Sequence, residues 1–368
     1  MPIYMDRHDV SSTVTAENVA QLHQADLKIQ NQFGCRGLTY WFDDKRKTAF
    51  CLIEAPEVNA ILKMHNQAHG QVPNSIIEVE TSIVESFLGR IEDPQKAQDT
   101  GLNIINDPAF RTIMVISSIK SKLGKSNSLK LKTRLRDFNK AIIKILNLYD
   151  GKSVRQTDDN YLISFKSVTN SVHAAKEFHL LNKEFNKKNN KDKYKLKIGI
   201  SAGIPVTKKQ SIFEDTIKLA ERMCDIVKGD IIVSKEVKDL YKSENENTFI
   251  NGKYISTLTQ ANEIFITHLM DYTDENWRDV NLKVDHFTKP VGCSKSQFYR
   301  KMILLTGKSP NSYIKEYRLK KALKLLKKNE SNISEVAFDT GFSSPSYFTK
   351  CFKQQFGLLP VIYMNSLQ

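Results

Sequence analysis

Four side chains in the first seventy residues have the chemistry of transition-metal ligands: His8, Cys51, His65 and His69. His65 and His69 stand four residues apart, a spacing that puts two imidazoles on one face of a helix. His8 ends one strand-like segment and Cys51 lies in another, so neighbouring strands would bring imidazole and thiolate together. Such a set suits Ni²⁺, Cu²⁺ or Zn²⁺, and the affinity order gives nickel no advantage. The plain alternative is a Cys51 that is only a small buried hydrophobe, with the histidines as surface polar groups. A different chemistry lies at the other end of the chain, in ISEVAFDTGFSSPSYFTKCFKQQFGLLP, residues 333–360. Ala337 is small enough for a helix crossing, Gly341 suits a turn of positive φ, and Ser344 followed by Pro345 starts a helix. Phe348, Phe352 and Phe356 recur every four residues and define a core face, leaving Ser346, Tyr347, Thr349, Lys350 and Lys353 on the others. Polar groups of that kind meet base edges and phosphates.

An earlier copy lies in FTKPVGCSKSQFYRKMILLTGKSP, with Gly292 as the turn residue and Ser294 as the cap. Phe298 and Met302 face inward there, and Lys295, Ser296, Gln297, Tyr299 and Arg300 are available outward. Pro290 sits late in the preceding helix and predicts its early end, because proline inside a helix costs ~3 kcal/mol. Between the copies, SPNSYIKEYRLKKALKLLKKN reads as an amphipathic rod able to hold two recognition helices on one face of DNA. In the middle of the chain Asp158, Asp159 and Arg222 are either site residues or a solvated turn and a structural ion pair. Three GKS triplets, at Gly124, Gly151 and Gly307, lack the glycine five positions earlier that a phosphate loop requires.

The elements that must carry these groups fall into three stretches. Residues 1–85 alternate as βαββαβ, with Gly34 capping the first helix and Pro56 and Glu57 in the first turn of the second. Residues 91–110, which include Pro94 and Pro108, show no sustained period and read as a linker. An α/β pattern follows over 111–255, and helices with tight turns run from 260 onward.

The net charge of +14 is unevenly spread: −5 over residues 1–95, +13 over 96–259 and +6 over 260–368. The most basic stretch is therefore not the one with the turn glycines and caps, and lysine-rich loops account for much of the excess. No apolar run approaches the ~18 residues of a bilayer span, and nothing at the N-terminus resembles an export signal, so a cytoplasmic location and no membrane partner are expected. Five scattered cysteines without CxxC spacing suit reduced thiols and exclude a structural zinc finger.

Three resemblances follow from these residues. Residues 260–368 resemble the AraC/XylS-type regulators: GFSSPSYFTKCFKQQFG followed by Pro360 matches that pattern almost throughout, and ANEIFITHLMDYTDENW supplies the leading helix. Pro290 and Met364 depart from it. The resemblance implies a double helix-turn-helix that reads double-stranded operator DNA, with Lys295, Ser296, Gln297, Tyr299, Arg300, Ser346, Thr349 and Lys350 as the contacting residues. The middle stretch is similar to class III nucleotidyl cyclases in VRQTDDNYLISF, LKIGISAGIP and DTIKLAERMCDIVKGDIIVS. In those enzymes two carboxylates hold two metal ions. Here Asp159 fits one position, the other falls at Ser117 or Ser118, and Lys218 replaces an expected asparagine although Arg222 fits. The expectation is a relic that dimerises or senses nucleotide and is not an enzyme; the rival is a signalling cyclase fused to a DNA-binding module. MPIYMDRHDV, FGCRGLTYWFDDKRKTAFCLIEAPE and MHNQAHGQVPNSIIEVE resemble a small ferredoxin-like family whose described members bind nickel and pair as dimers.

The expected protein is multidomain, α+β and all-α. It has a ferredoxin-like metal or ligand domain over 1–90, a linker over 91–110, a degenerate cyclase-like α/β domain over 111–255 and the helical DNA-binding domain over 260–368. It would act as a homodimeric transcription regulator with a small-molecule or metal effector, Ni²⁺ or another divalent transition metal.

Overall fold

The runs YWF in RGLTYWFD and AFCLI in TAFCLIE are continuously apolar, the pattern of strands covered on both faces. In the computed structural model, which describes residues 1–94, 101–120, 129–157, 160–188, 194–246, 250, 253–328 and 332–366, both faces are indeed covered. Strands β1 (Ile3–Asp9), β2 (Arg36–Asp43), β3 (Thr48–Glu54) and β4 (Ser75–Val79) form one antiparallel sheet in the order β2-β3-β1-β4. With helices α1 (Ala16–Ile29) and α2 (Val58–Ala68) this is the ferredoxin-like βαββαβ expected from the sequence. A 3-10 turn follows α1 and ends on Gly34 at φ 64, while Glu57 proves to be the N-cap of α2 and not a residue of its first turn. Tyr4, Tyr40, Phe42, Cys51 and Ile53 pack on the helical side. Met5, Trp41, Phe50, Leu52 and Ile77 face the other way, into a core shared with the middle of the chain. A further helix, α3 (Thr81–Leu88), not foreseen from the sequence, lies in that shared core through Val84, Phe87 and Leu88.

Residues 101–110 are no free tether. The Tyr40 hydroxyl donates to the Asn103 carbonyl at 2.7 Å and accepts from the Ile105 amide at 2.8 Å, and Ile105 is buried.

The middle stretch repeats the same core topology. Strands β5 (Arg111–Lys120), β6 (Lys152–Gln156), β7 (Asn160–Phe165) and β8 (Tyr194–Gly203), with helices α4 (Leu129–Leu148) and α5 (Val168–Lys188), give βαββαβ again. Helix α6 (Glu214–Ile226), β9 (Ile231–Val233), α7 (Lys235–Glu244) and β10 (Ile255–Thr257) extend it to a six-stranded sheet in the order β10-β9-β8-β5-β7-β6. α7 and β10 are also additions to the sequence reading.

Strand β8 shows how the second sheet is loaded. Leu196, Ile198 and Ile200 pack with α5 in one core. The alternate positions, Lys197, Gly199, Ser201 and Gly203, are small or polar because α6 lies flush on them: a Cβ at 199 would overlap the Ala220 carbonyl oxygen, and one at 203 the Thr216 hydroxyl. Lys197 closes the end of the helix by donating from Nζ to the Val227 carbonyl at 2.6 Å. Burial lowers the pKa of that ammonium to about 8.

Two stripes of α6 are buried in different cores. Ile217, Ala220 and Cys224 join α3, the open face of the first sheet, and Ile113, Val115 and Leu162 of the second. Leu219, Met223 and Ile226 join Phe265, Phe298, Met302 and Tyr313 of the helical region. At the seam between the first two units Arg111, only 1% exposed, donates to the carbonyls of Phe87 (3.0 Å), Leu88 (3.2 Å), Pro108 (2.6 Å) and Phe110 (2.8 Å), and so caps the C-terminal end of α3.

Gly199→Ala is therefore expected to lower the free energy of unfolding by about 3 kcal/mol, the upper end of ordinary overpacking. Gly101→Ala, where nothing lies within 4 Å of the new methyl, should stay within about 0.5 kcal/mol of the parent. Urea titrations followed by tryptophan fluorescence measure both, and equal effects would show that α6 does not need the bare backbone at 199.

Candidate nucleic-acid interface and metal centre

The helical region begins with α8 (Gln260–Asn276), capped by Thr259. Helix α9 (Asp285–Thr288) stops two residues before Pro290, as the proline requires. Gly292, at φ 65, turns the chain into α10 (Lys295–Thr306). There the Ser294 hydroxyl accepts from the Gln297 amide at 3.3 Å, and the Gln297 side chain accepts from the Ser294 amide at 3.0 Å. Phe298 and Met302 are buried, while Ser296, Tyr299 and Arg300 are exposed. Two expected contact residues are partly engaged elsewhere: Gln297 by this capping box, and Lys295 by Asp285, 2.8 Å away.

The second unit follows the same plan. Asn332 and Glu335 form a capping box on α12 (Ile333–Asp339), Gly341 turns at φ 76, and the Ser344 hydroxyl accepts from the Tyr347 amide at 3.1 Å to start α13 (Pro345–Phe356) with proline in its first turn. Phe348 and Phe352 are buried, Phe356 is half-buried, and tilted ring contacts join Phe352 to Phe348, to Phe356 and to Tyr363 of α14 (Pro360–Asn365). Ser346, Tyr347, Lys350 and Lys353 are exposed, and Thr349 is half-buried. Helix α11 (Pro310–Lys328) joins the units; its 19 residues make a rod of about 28 Å. Its first half packs in the core shared with α6, through Tyr313 and Tyr317, and its second half, through Leu319, Ala322 and Leu326, in the core of the second unit. The Lys228 amide donates to the Leu305 carbonyl at 2.7 Å, tying the end of α10 to the segment that follows α6.

The metal-ligand candidates also come together, around two carboxylates that the sequence reading missed. Asp6, His8 and Cys51 form one group and Asp26, His65 and His69 another, with the ligand atoms of each within 4.8 Å of one another. His65, 1% exposed, links them, its Nε2 2.9 Å from Asp6 and its Nδ1 3.1 Å from Asp26. His69 Nε2 lies 3.2 Å from Asp26, and His8 Nε2 3.5 Å from Asp6. The Cys51 amide donates to Asp6 at 2.9 Å. Burial opposes charge on Asp6 and Asp26, but the neighbouring histidines hold both carboxyls below their usual range. Burial likewise opposes protonation of His65, yet its bonds to Asp26 and Asp6 raise its pKa to about 10. Burial first, then Asp6 and Asp26, pushes the Cys51 thiol well up, so the thiol is neutral around pH 7. Imidazole, carboxylate and sulfur donors in reach of one another fit a divalent transition metal, whose charge would displace the shared protons. Periodicity held the missing signal: Asp6 precedes His8 by one strand repeat, and Asp26 stands on the buried stripe of α1 with Val19 and His23.

Asp158 and Asp159 lie outside the described residues, Ser117 pairs in the strand ladder with Asn160 and Lys197, and Arg222 is held by Asp271 of α8. Lys218 pairs with Glu214 at 2.5 Å. Arg222 therefore has the structural ion-pair role, and it bridges α6 to the helical region.

A family model described as "Helix-turn-helix domain" matches residues 287–366, and one described as "Nickel responsive protein SCO4226-like" matches residues 4–79. The chain is 36% identical over 127 residues to the uncharacterized HTH-type transcriptional regulator YdeC of Bacillus subtilis, across 33% of this chain and 43% of that protein. It is 33% identical over 121 residues to histidine kinase P4 of Formosa agariphila, across 32% of this chain and 9% of that one. The crystal structure of SCO4226 from Streptomyces coelicolor is 31% identical with a TM-score of 0.20, over 21% of this chain and 94% of that one. The chain thus spans less than half the length of these two sequence relatives. The C-terminal region is a helix-turn-helix domain similar to those of HTH-type transcriptional regulators, and the N-terminal domain is similar to the nickel-responsive family.

In metal-free protein, His65→Ala leaves Asp6 and Asp26 buried without their shared cation and is expected to cost about 3–5 kcal/mol of stability. His69→Ala, which leaves that link intact, should cost about 1 kcal/mol or less. Equal costs in denaturant titrations with chelator present would mean that His65 is not the hub of the network.

Proposed function

We propose that this chain is a DNA-binding transcription regulator of AraC type whose N-terminal module holds a divalent transition metal, with nickel as the first candidate, as its effector. The observation that carries the DNA reading is the paired construction of α10 and α13: each follows a positive-φ glycine, each starts on a serine cap, and each buries phenylalanine (Phe298 in one, Phe348 and Phe352 in the other) while exposing polar residues. Lys295, Ser296, Gln297, Tyr299 and Arg300 on one helix, and Ser346, Thr349 and Lys350 on the other, contact operator DNA in this reading. Lys295 and Gln297 contribute less to base reading, because Asp285 and the capping box compete for them. No helix among the described residues is long and apolar enough to cross a membrane, and we take the site of action to be the cytoplasm. The middle unit serves as a scaffold and not as a cyclase; the seryl first-strand position and the engaged Arg222 support this. We take the protein to be a homodimer. The open face of the first sheet is covered by α3, α6 and the second sheet, so the subunits pair through another surface.

Duplexes selected from a random pool provide the operator. Arg300→Ala and Lys350→Ala are each expected to weaken operator binding by about 1–3 kcal/mol if they read bases, and to make the salt slope shallower by about 1 if they contact phosphate. Unchanged affinity and salt dependence in both variants would remove the two-headed reading.

For the metal, titration calorimetry with Ni²⁺, Zn²⁺ and Cu²⁺ is expected to show saturable binding at micromolar concentration. Binding should release protons and be lost in Asp6→Asn and in His65→Ala. Ligand binding that shifts operator affinity must favour one DNA-binding state, typically by about 1–3 kcal/mol. Metal binding that leaves operator affinity unchanged would keep the site and refute its regulatory role.

A further inference from the structure

Asn311, Ile314, Lys315 and Arg318 recur at three, four and seven residues and so share one face of α11. Of these only Ile314 packs against a core, and it is half-buried. The cores themselves take other residues of the helix, Tyr313 and Tyr317 in one and Leu319, Ala322 and Leu326 in the other. The face left over floors a groove of ≈ 280 Å³ between the two helix-turn-helix units. Val280 and Leu282, before α9, form one wall, and Phe342, in the turn before α13, forms the other. Val280 is 51% exposed, an apolar side chain left at the rim. Space of this size, near the lower end of ligand pockets, suits a molecule on the order of ten non-hydrogen atoms.

The polar groups of the groove are cationic or neutral. Lys315 is half-buried and enters no ion pair among the described residues, whereas Lys320 pairs with Glu316 and Lys321 with Asp274. Arg318 is held by its own chain, donating from Nε to the Trp277 carbonyl at 2.8 Å and from Nη2 to the Asp279 carbonyl at 2.6 Å. Both N–H groups of its Nη1 are left without a hydrogen bond among the described residues. The turn at Gly341 fixes the guanidinium further, since a Cβ there would lie 2.9 Å from Arg318 Nε. Burial lowers the Arg318 pKa, so the cation has lost hydration that an anion would replace. Among the described residues no acid lines the groove. The Asp279 carboxylate, which acts on Arg318 from outside it, accepts from the Asn281 amide at 2.8 Å. Two cations, one of them prepositioned, beside apolar walls complement a monoanion attached to an apolar body. A planar carboxylate matches the guanidinium fork, whereas a multivalent inorganic anion would lose hydration against Leu282 and Phe342 without return.

We propose that this groove binds a small organic acid, with its carboxylate on Lys315 and Arg318 and its apolar body between Leu282, Ile314 and Phe342. The site shares no residue with the metal-ligand candidates or with the residues assigned to operator contact. A bound acid touches the first unit, the second unit and the helix that joins them, and so favours the one arrangement of the units in which both walls reach it.

The test uses the full chain, with phenylpropionate and octanoate as aromatic and aliphatic probes followed by ligand-observed NMR. Saturable binding of at least one, with a dissociation constant in the millimolar range or below, is expected for a ligand of so few atoms. Phenylpropionamide keeps the shape without the charge, and acetate keeps the charge without the body; each should bind about tenfold more weakly or worse. Lys315→Gln should weaken the acid by a similar factor, and Lys315→Arg should retain it. Val280→Asp, which sets a carboxylate on the exposed wall, should also weaken it by about tenfold. Lys63→Gln, an exposed lysine of the N-terminal module, should bind like the parent. Val280 and Lys315 are both open to solvent, so these substitutions leave the cores intact. No saturable binding of either probe overturns the proposal, as does binding that survives both Lys315→Gln and Val280→Asp unchanged. Acetate or inorganic phosphate binding as tightly as phenylpropionate would mark an adventitious anion site only, and overturns it as well.

Discussion

The closeness of α6 to β8 is the constraint on which the rest of the architecture depends. At Gly199 the helix backbone occupies the space of a side chain, and only a strand without a Cβ there admits it. Once seated, α6 is too deep to serve one core alone. Its Ile217, Ala220 and Cys224 stripe closes the space between the two sheets, and its Leu219, Met223 and Ile226 stripe receives the first helix-turn-helix unit. A single helix thereby belongs to the α/β side and the helix-turn-helix side at once, and the protein is better described by its shared cores than by beads on a string.

Charges sit at the seams of this arrangement, and each is compensated differently. Arg111 is satisfied by carbonyls alone, which suits a guanidinium at the negative end of α3. Lys197 does the same at the end of α6 with one carbonyl, and its lowered pKa records the cost of burial. The Asp6, His65 and Asp26 group uses opposite charges instead, which makes it strong without metal and open to exchange of protons for a cation. Of the three, only Arg111 joins two units; Lys197 and the Asp6, His65 and Asp26 group fix elements within one.

Much of this was legible in the residues. Serine caps, turn glycines and the spacing of Phe348, Phe352 and Phe356 specify the second reading unit almost completely, since each is a local rule with a local cause. The early stop at Pro290 was equally local. The βαββαβ order of both α/β units followed from alternation and helical periodicity. What escaped was everything decided by partners distant in sequence. α3, β10 and α7 are short elements stabilised by packing, and a stretch with two prolines read as a linker although Tyr40 ties it down. Among the candidate metal ligands the histidines were visible by type, but Asp6 and Asp26 became candidates only when α1 and α2 were laid on β1. The capping role of Gln297 was also missed, because a capping side chain and a base-reading side chain look alike in sequence.

The covered face of the first sheet also bears on how the chain is made. Its strands are complete by Val79, but Met5, Trp41, Phe50 and Leu52 acquire their full cover only when the second sheet and α6, ending at Ile226, have followed α3. At ribosomal rates of roughly 5–20 residues per second that gap lasts on the order of ten to thirty seconds. During biosynthesis the nascent N-terminal module therefore presents an incompletely covered apolar sheet face to its surroundings.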